Sequence, residues 1–354
     1  KIFQMNIQLA TKKNIQKISN IRKSNPIPIF FATDDNYIPY LEVALSSLIE
    51  NASKNYNYNI HILNTGLLDS NKNAILKLAN KNFNIIFEDI SYCIEPIKAL
   101  LKDVYHFSVV MYYRLFIEKM FPQYDKVLYL DCDIVVLGDI SKLYNTNLYN
   151  NLVGACQEQV INNNETFKEY ATFGVGVPCE KYFNSGILVM NLKKFRQEKI
   201  AEQFVYLIKT YNFDVVDPDQ AYLNVLCHNK VKYLPNGWNK ASLSNKLEGK
   251  LNIAHYALYK KPWQYDDVIN GEYFWQYAKK CTLYSSILNS KNSFTDEKRK
   301  AKESANIDIV EHALNIINSD KNMKKVLFEE TDVFEKLFAQ LDSIHFELSD
   351  KVKA

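Results

Sequence analysis

An apolar run that ends in two carboxylates is the feature that most constrains how this chain can fold. Residues 127–130 are Val, Leu, Tyr and Leu, which together read as a short buried strand. Asp131 and Asp133 follow at once, and in open α/β sheets ligands bind outside the carboxyl ends of the strands. A divalent cation bound there would remove the repulsion between the two acids. The alternative is a polar strand exit with two solvated carboxylates.

Strand-like and helix-like segments alternate along the first half of the chain. Residues 27–33, 58–63 and 83–87 have the composition of strands, and residues 37–50 and 69–80 between them have helical patterns. This order predicts an α/β fold with a mostly parallel, doubly wound sheet and helices on its faces. The first strand is not followed by Gly-x-Gly-x-x-Gly, which argues against an ordinary dinucleotide-binding fold.

The polar loop after the first strand is a candidate nucleotide site. It contains Asp34, Asp35 and Asn36, at the sheet edge where Asp131 and Asp133 are also predicted to lie. A carboxylate at this point can accept hydrogen bonds from a base N–H or from ribose hydroxyls. As an alternative, one of the two aspartates only caps the helix that follows.

Polar residues beside the later elements are candidate substrate ligands. Asn184 opens a buried strand, where it can face a sugar, although Asn-Ser-Gly also suits a turn. Asp219 suits a helix N-cap, which leaves Gln220 unexplained. Arg114 lies on a predicted helix, residues 108–120, directly before the acidic strand, and could reach either the acids or a substrate.

A histidine with lysines close behind it is a further candidate. His255 follows a short apolar segment and precedes Lys260, Lys261 and Trp263. A single histidine on a strand is more often a core residue than a ligand. Here it can instead supply a metal ligand, and a following lysine can supply a cation for phosphate oxygens.

Length and composition bound the architecture. The 354 residues, 47% of them hydrophobic, suffice for one large α/β domain, predicted at 26–284, between a basic leader at 1–25 and a helical extension at 285–354. In the extension, residues 307–317 and 326–350 have helical patterns. The net charge of +3 is too small to indicate nucleic-acid binding.

The cysteine pattern and the remaining segments add four expectations. No two of the six cysteines form a Cys-x-x-Cys pair, which favours free thiols in a reducing cytoplasm over a zinc site. No apolar run reaches the roughly 18–20 residues of a membrane span. Residues 157–181 are polar and suit a mobile loop over a site, and residues 192–211 read as one long helix.

Six motifs, taken together and in this order, resemble glycosyltransferase family 8. This family comprises retaining nucleotide-sugar transferases and includes glycogenin and the bacterial lipooligosaccharide galactosyl- and glucosyltransferases. The likeness runs over roughly residues 27–275. The motifs are Phe31-Ala32-Thr33-Asp34-Asp35-Asn36-Tyr37, Tyr113-Arg114-Leu115, Lys126-Val127-Leu128-Tyr129-Leu130-Asp131-Cys132-Asp133, Tyr182-Phe183-Asn184-Ser185-Gly186-Ile187-Leu188, Asp219-Gln220, and His255 with Lys261-Pro262-Trp263.

The resemblance implies a GT-A fold for the main domain and a role for each matching position. Three of these positions, Arg114, Asp219 and Gln220, are the candidate catalytic residues. By resemblance, the nucleotide is bound by Ala32, Thr33, Asp34 and Asn36, the metal by Asp131, Asp133 and His255, the diphosphate by Lys261, and the donor sugar by Arg114, Asn184, Asp219 and Gln220.

The resemblance also implies the reaction. It is the transfer of galactose or glucose from a UDP-sugar to a hydroxyl of a glycan, such as lipooligosaccharide or another bacterial surface glycan, with retention of configuration. Two carboxylates and an imidazole suit Mn²⁺, with Mg²⁺ as the alternative, acting as a Lewis acid on the leaving diphosphate. Gln220 is a weak nucleophile, so front-face and covalent routes both stay open.

The acceptor class predicts where in the cell the enzyme is located. The enzyme is expected in the cytoplasm, peripheral to the inner face of the membrane that holds the acceptor. The basic segments 1–25 and 291–302 could contact that membrane. Self-association is left open.

One departure and two rival functions remain. Position 258 is Leu, where the bacterial members usually have a Gly close to the phosphate. The first rival is a phosphatase of the haloacid dehalogenase type with Asp131 as nucleophile, but its later Gly-Asp-x-x-x-Asp motif is missing from the sequence. The second is a family member that binds a nucleotide sugar without turnover, although Asp133 and His255 are both present.

Overall fold

The computed structural model describes residues 25–101, 109–242, 249–258, 260–330 and 333–340. The predicted leader, apart from its last residue, and the end of the predicted 326–350 helix lie outside these ranges. The strands are β1 (Ile27–Ala32), β2 (Tyr58–Asn64), β3 (Phe83–Asp89), β4 (Val127–Leu130), β5 (Ile134–Val136), β6 (Val153–Gln157), β7 (Phe183–Met190), β8 (Val231–Tyr233), β9 (Lys240–Ala241) and β10 (Ile253–His255).

Helices cover the sheet and form the described part of the C-terminal extension. The α-helices are α1 (Ile38–Asn51), α2 (Asp69–Leu76), α3 (Ser91–Ile94), α4 (Ile117–Met120), α5 (Ile140–Tyr144), α6 (Glu165–Glu169), α7 (Leu192–Glu198), α8 (Ile200–Thr210), α9 (Pro218–Leu226), α10 (Gly271–Ala278), α11 (Tyr284–Asn292), α12 (Asp296–Asn318) and α13 (Val333–Gln340). The 3₁₀-helices are Glu95–Leu100, Val109–Phe116, Ile161–Asn163, Cys179–Lys181 and Asn236–Trp238, and the π-helices are Tyr170–Val175 and Lys325–Glu329.

A seven-stranded sheet in the order β3-β2-β1-β4-β7-β6-β8 forms the centre. Strands β1 to β4 run parallel, as do β6 and β8, whereas β7 is antiparallel to both β4 and β6. The prediction of a mostly parallel sheet flanked by helices is confirmed. Because β1 and β4 are parallel neighbours, the polar loop after β1 lies beside the acids after β4.

Alternating side chains along the central strands pack into separate cores on the two faces of the sheet. Phe30 and Tyr129 belong to one core, with the helices α7 to α9, and Phe31 and Leu128 belong to the other, with α1. This period of two is what a strand buried on both faces requires. The central strands are thereby fixed in register, which holds their carboxyl ends in place.

Two segments differ from their predicted form. The predicted helix at 192–211 is two helices, because Lys199 adopts a left-handed φ of 55° between α7 and α8. Residues 157–181, predicted to be a mobile loop, contain short helices that pack against α12. The side chain of Asn164 caps α6 by accepting from the Phe167 N–H at 3.2 Å. The polar residues of this segment therefore include a helix cap, and part of the segment is covered by α12.

A buried carboxylate on α1 anchors the start of the helix α11. Glu42, on α1, is 1% exposed. It accepts hydrogen bonds from the Thr282 N–H at 2.8 Å, the Thr282 hydroxyl at 2.7 Å and the Leu283 N–H at 2.9 Å. These donors lie directly before α11, so the carboxylate anchors the start of that helix. Among the described helices, none combines the length and apolarity needed to cross a membrane.

We expect Glu42→Ala to lower the free energy of unfolding by about 3 kcal/mol. The buried donors of Thr282 and Leu283 would lose the carboxylate that accepts their hydrogen bonds. Chemical denaturation followed by circular dichroism measures this. Glu50→Ala is the matched control, since Glu50 is also on α1 but pairs with Lys280 on the exposed surface at 2.8 Å. Equal destabilisation by both variants would show that Glu42 is not the anchor.

Candidate active site

Strand pairing brings the candidate metal ligands together. The Asp131 N–H, just after β4, donates to the Gly186 carbonyl on β7 at 2.8 Å. Strand β10 pairs with β5 and ends at His255, and the next N–H, of Tyr256, donates to the Asp133 carbonyl at 2.9 Å. Both acids and the histidine are therefore positioned by backbone bonds of two sheets, although they are far apart in sequence.

Asp131, Asp133 and His255 form a group that could hold a metal ion. One ligand atom from each lies within 4.8 Å of the others. His255 Nε2 is 3.2 Å from Asp133 Oδ1 and 3.8 Å from Asp131 Oδ2. Two carboxylate oxygens and an imidazole nitrogen suit a divalent first-row metal.

The space at Gly186 fits the same interpretation. A Cβ atom there would lie 2.5 Å from Asp131 Oδ2 and would also overlap the His255 ring. Any side chain at this position would push the two ligands apart. The absence of a side chain at Gly186 therefore allows Asp131 and His255 to approach each other closely.

Charge around the ligand set keeps Asp133 ionised. Burial alone would raise the pKa of Asp133, but Lys261 and His255 lower it well below its usual range. Lys261 is 4% exposed and donates to Asp133 Oδ2 and, at 2.7 Å, to the Tyr256 carbonyl. A second lysine, Lys302 on α12, lies nearby, and burial together with Lys261 lowers its pKa to about 8. This end of the site is rich in positive charge.

Arg114 joins the ligand set to the candidate sugar residues. Its Nη2 donates to Asp131 Oδ1 at 2.8 Å, and its Nε lies 3.2 Å from Asp219 Oδ2. Its other bonds go to the carbonyls of Ser185 at 2.5 Å and Met111 at 3.0 Å. Burial lowers the pKa of Arg114, but the two carboxylates outweigh that effect and raise it. All three guanidinium nitrogens thus have partners, and the group pairs with both acids.

Three side-chain contacts, which we call the amide relay, fix the tautomer of His255. Glu158 Oε2 accepts from Asn184 Nδ2 at 2.5 Å, and Asn184 Oδ1 accepts from Asn239 Nδ2 at 2.7 Å. Asn239 Oδ1 is then left to face His255 Nδ1 at 2.9 Å. Since an amide oxygen only accepts, Nδ1 carries a proton, and Nε2 is the ring nitrogen that faces the two acids. The relay therefore leaves Nε2 as the atom that could bind a metal ion.

The predicted nucleotide residues lie at one side of the same cleft. Ala32, Thr33 and Asp34 line it. Asn36 is exposed outside the lining, and its N–H donates to Asp34 Oδ1 at 2.9 Å. Neither aspartate is the N-cap of the helix that follows, since Tyr37 occupies that position. Asp34 accepts from the Tyr37 N–H at 3.1 Å and shapes the turn into α1, whereas Asp35 accepts from the Leu68 N–H, just before α2, at 3.0 Å.

The predicted sugar residues lie at the other side of the cleft. Asn184 and Ser185 lie within β7 and do not form the turn that was the alternative. Asp219 is not the N-cap of α9, because Asp217 occupies that position. The Asp219 carboxylate instead accepts from the Ser185 hydroxyl at 3.0 Å, and Gln220 Oε1 accepts from the Ser185 N–H at 3.0 Å. Burial raises the pKa of Asp219, opposed by Arg114.

Three residues that bond within the site have no role assigned from the sequence pattern: Glu158, Asp217 and Asn239. Glu158 had a usable signal, since it follows β6 as Asp131 follows β4. Asp217 lies two residues before the Asp219-Gln220 motif. Asn239 has no local signal, because it reaches His255 only through the pairing of β9 with β10.

Leu258 has a backbone conformation that favours glycine. Its φ is 63°, in the left-handed region, and the residue lines the cleft. The expected glycine would suit this conformation, and the leucine adds a side chain to the cleft wall.

We expect Leu258→Gly to leave the free energy of unfolding unchanged or to raise it, because glycine removes a left-handed strain of roughly 1–2 kcal/mol. The neighbouring Ala257→Gly is the control: Ala257 has a negative φ, so that change should cost about 0.5–1 kcal/mol. Urea unfolding of both variants makes the comparison. A similar decrease in the free energy of unfolding of both variants would show that Leu258 is not strained.

One cleft is lined by the loop after β1, the candidate metal ligands and the start of β7. A sequence model described as glycosyl transferase family 8 matches residues 28–267. The lipopolysaccharide 1,2-glucosyltransferase of Escherichia coli strain K12 is 29% identical over 264 residues, covering 70% of this chain and 75% of that protein.

Solved structures agree with the sequence match. The galactosyltransferase LgtC, crystallised with donor and acceptor sugar analogs, has 27% identity and a TM-score of 0.62, and the match covers 72% of this chain and 96% of LgtC. The bifunctional glycosyltransferase WbbM, in its apo structure, has 26% identity and a TM-score of 0.64, covering 76% of this chain but 52% of WbbM. The mixed sheet flanked by helices is the GT-A fold that the sequence predicts, and the chain belongs to glycosyltransferase family 8.

Proposed function

We propose that this chain is a retaining hexosyltransferase that moves galactose or glucose from a UDP-sugar to a hydroxyl of a glycan. Mn²⁺, or alternatively Mg²⁺, would be held by Asp131, Asp133 and His255. The observation that supports this most is that one cleft contains all three ligands, the loop after β1 and the polar start of β7. A nucleotide, a diphosphate and a sugar could lie along it in that order.

The residues of the cleft have different roles in the proposed reaction. When bound, a divalent cation supplies Lewis acidity at the leaving diphosphate. Lys261 adds a buried positive charge next to the ligand set, which favours the same negative charge. Arg114 keeps Asp131 and Asp219 in fixed relation, so the sugar residues are held relative to the diphosphate end.

The proposed acceptor rests on the relatives. The Escherichia coli protein is named as a lipopolysaccharide glucosyltransferase, and LgtC was crystallised with an acceptor sugar analog. We therefore propose lipooligosaccharide, lipopolysaccharide or another bacterial surface glycan as the acceptor. The proposed location is the cytoplasm, with Lys298 and Lys300, the exposed lysines of the basic segment 291–302, available for a peripheral contact with the membrane.

The two rival functions make different demands on the site. The phosphatase needs Asp131 as a free nucleophile, whereas its Oδ1 accepts from Arg114 and, at 3.1 Å, from the Tyr129 hydroxyl. Family membership also favours the transferase. The non-catalytic alternative differs only in turnover: it predicts binding of UDP without release of UDP from any UDP-sugar.

We expect UDP to raise the melting temperature of the protein in the presence of Mn²⁺ but much less without it, and one UDP-sugar to be hydrolysed or transferred with release of UDP. Asp133→Asn should lower the Mn²⁺-dependent turnover about 100-fold or more, because a ligand is lost while the shape is kept. Differential scanning fluorimetry and a coupled assay of UDP measure the two effects.

Asp125→Asn is the matched control for this experiment. Asp125 lies at the opposite end of β4, where its carboxylate is 74% exposed and pairs with Arg196. This variant should keep the metal dependence of the wild-type protein. Normal metal-dependent turnover by Asp133→Asn would contradict the ligand assignment, and UDP binding without any turnover would favour the non-catalytic alternative.

A further inference from the structure

Asp217 forms a network at the wall of the cleft that the roles above do not use. Its Oδ1 accepts from the Tyr170 hydroxyl at 2.7 Å, and its Oδ2 accepts from the Tyr182 hydroxyl at 2.8 Å and from Gln220 Nε2 at 2.9 Å. Both tyrosines are fully buried, and the Tyr170 hydroxyl itself accepts from the Val216 N–H at 3.2 Å. An ionised carboxylate is the group that can accept three such bonds.

The network fixes which way the Gln220 amide points. Its Nε2 donates to Asp217, which as a carboxylate can only accept, and its Oε1 accepts from the Ser185 N–H, which can only donate. Two neighbours on opposite sides thus demand the same orientation. One N–H and one lone pair of the amide are left beyond these bonds, and Gln220 lines the cleft.

We propose that Asp217, in its ionised form, is a positioning residue that holds the Gln220 amide in the orientation needed to contact the donor sugar. The sugar contact rests on the proposed function, whereas the hold on Gln220 does not. The residue acts through Gln220, because all three of its bonds go to protein groups. Asp217 also connects distant elements, since Tyr170 belongs to the π-helix that packs against α12.

Protonation of Asp217 would weaken its hold on the amide. Burial raises the pKa of Asp217 to about 7, against hydrogen bonds that lower it. Below that pH the carboxyl carries one proton and is a poorer acceptor, so the hydrogen bond from Gln220 Nε2 weakens and the Ser185 N–H is left as the firm partner of the amide. The ionisable groups facing the network are Tyr170 and Tyr182 on the carboxylate, Asp219 with its partner Arg114, Asp214 beside Tyr170, and Glu158 beside Tyr182.

The first test needs no activity. The side-chain amide resonances of Gln220, assigned by their absence in Gln220→Leu, should shift with an apparent pKa near 7 in the wild-type protein and not in Asp217→Asn. Asp214→Asn is the matched control, since that carboxylate is 74% exposed and pairs with His312. It should keep the wild-type titration. An amide of Gln220 that does not titrate would overturn the proposal.

The second test measures the consequence for turnover. With the UDP-sugar found to be active, kcat should rise with pH through the same apparent pKa. In Asp217→Asn, kcat at pH 8 should be about 10- to 100-fold lower and independent of pH near 7, with unchanged binding of UDP. Tyr182→Phe, which removes a bond that lowers the pKa, should shift the profile to higher pH and covers the case that Asp217→Asn does not fold.

The outcomes separate the two proposals. An unchanged pH profile of kcat in Asp217→Asn, with a titrating Gln220 amide, would overturn the link to the sugar. If the amide titrates but no UDP-sugar is turned over by the wild-type protein, the proposed function fails and the positioning of Gln220 stands.

Discussion

The buried guanidinium of Arg114 is the interaction on which the rest of the site depends. It lies between Asp131 and Asp219, two acids that would otherwise face each other in a poorly solvated cleft. Burying an unpaired charge costs several kcal/mol, so neither these carboxylates nor the guanidinium could be placed here alone. Arg114 also donates to the Met111 carbonyl within its own 3₁₀-helix, Val109–Phe116, and its bond to the Ser185 carbonyl connects that helix to β7.

The parts of the fold that follow from local pattern could be predicted. The alternation of strands and helices predicts the mostly parallel sheet, and the sequence of β4 predicts acids at a ligand-binding edge, where Asp131 and Asp133 lie. The direction of β7 could not be predicted, since apolar periodicity is the same for parallel and antiparallel strands. That direction matters, because it places the start of β7, and not its end, beside Asp131.

Contacts between side chains far apart in sequence account for most of what the pattern missed. The roles of Asn239 and Glu158 exist only once β9 lies beside β10 and β6 beside β7. The segment 157–181 reads as a polar loop because two of its short helices pack on α12 and its buried Tyr170 bonds to Asp217, both far away in the sequence. A chain segment looks irregular in isolation when the groups that order it belong to other elements.

The first polar residues of β7 explain why these contacts form one unit. Asn184 belongs to the amide relay that orients His255, Ser185 contacts Gln220, and Gly186 leaves room for the ligand atoms. Successive side chains of a strand point to opposite faces of the sheet. Adjacent residues can therefore line different parts of one cleft only where the cleft extends around an edge of the sheet. The carboxyl end of β4 is such an edge, and β7 begins there because it runs antiparallel. The orientation of one strand thus decides whether the candidate metal ligands and the candidate sugar residues can share a site.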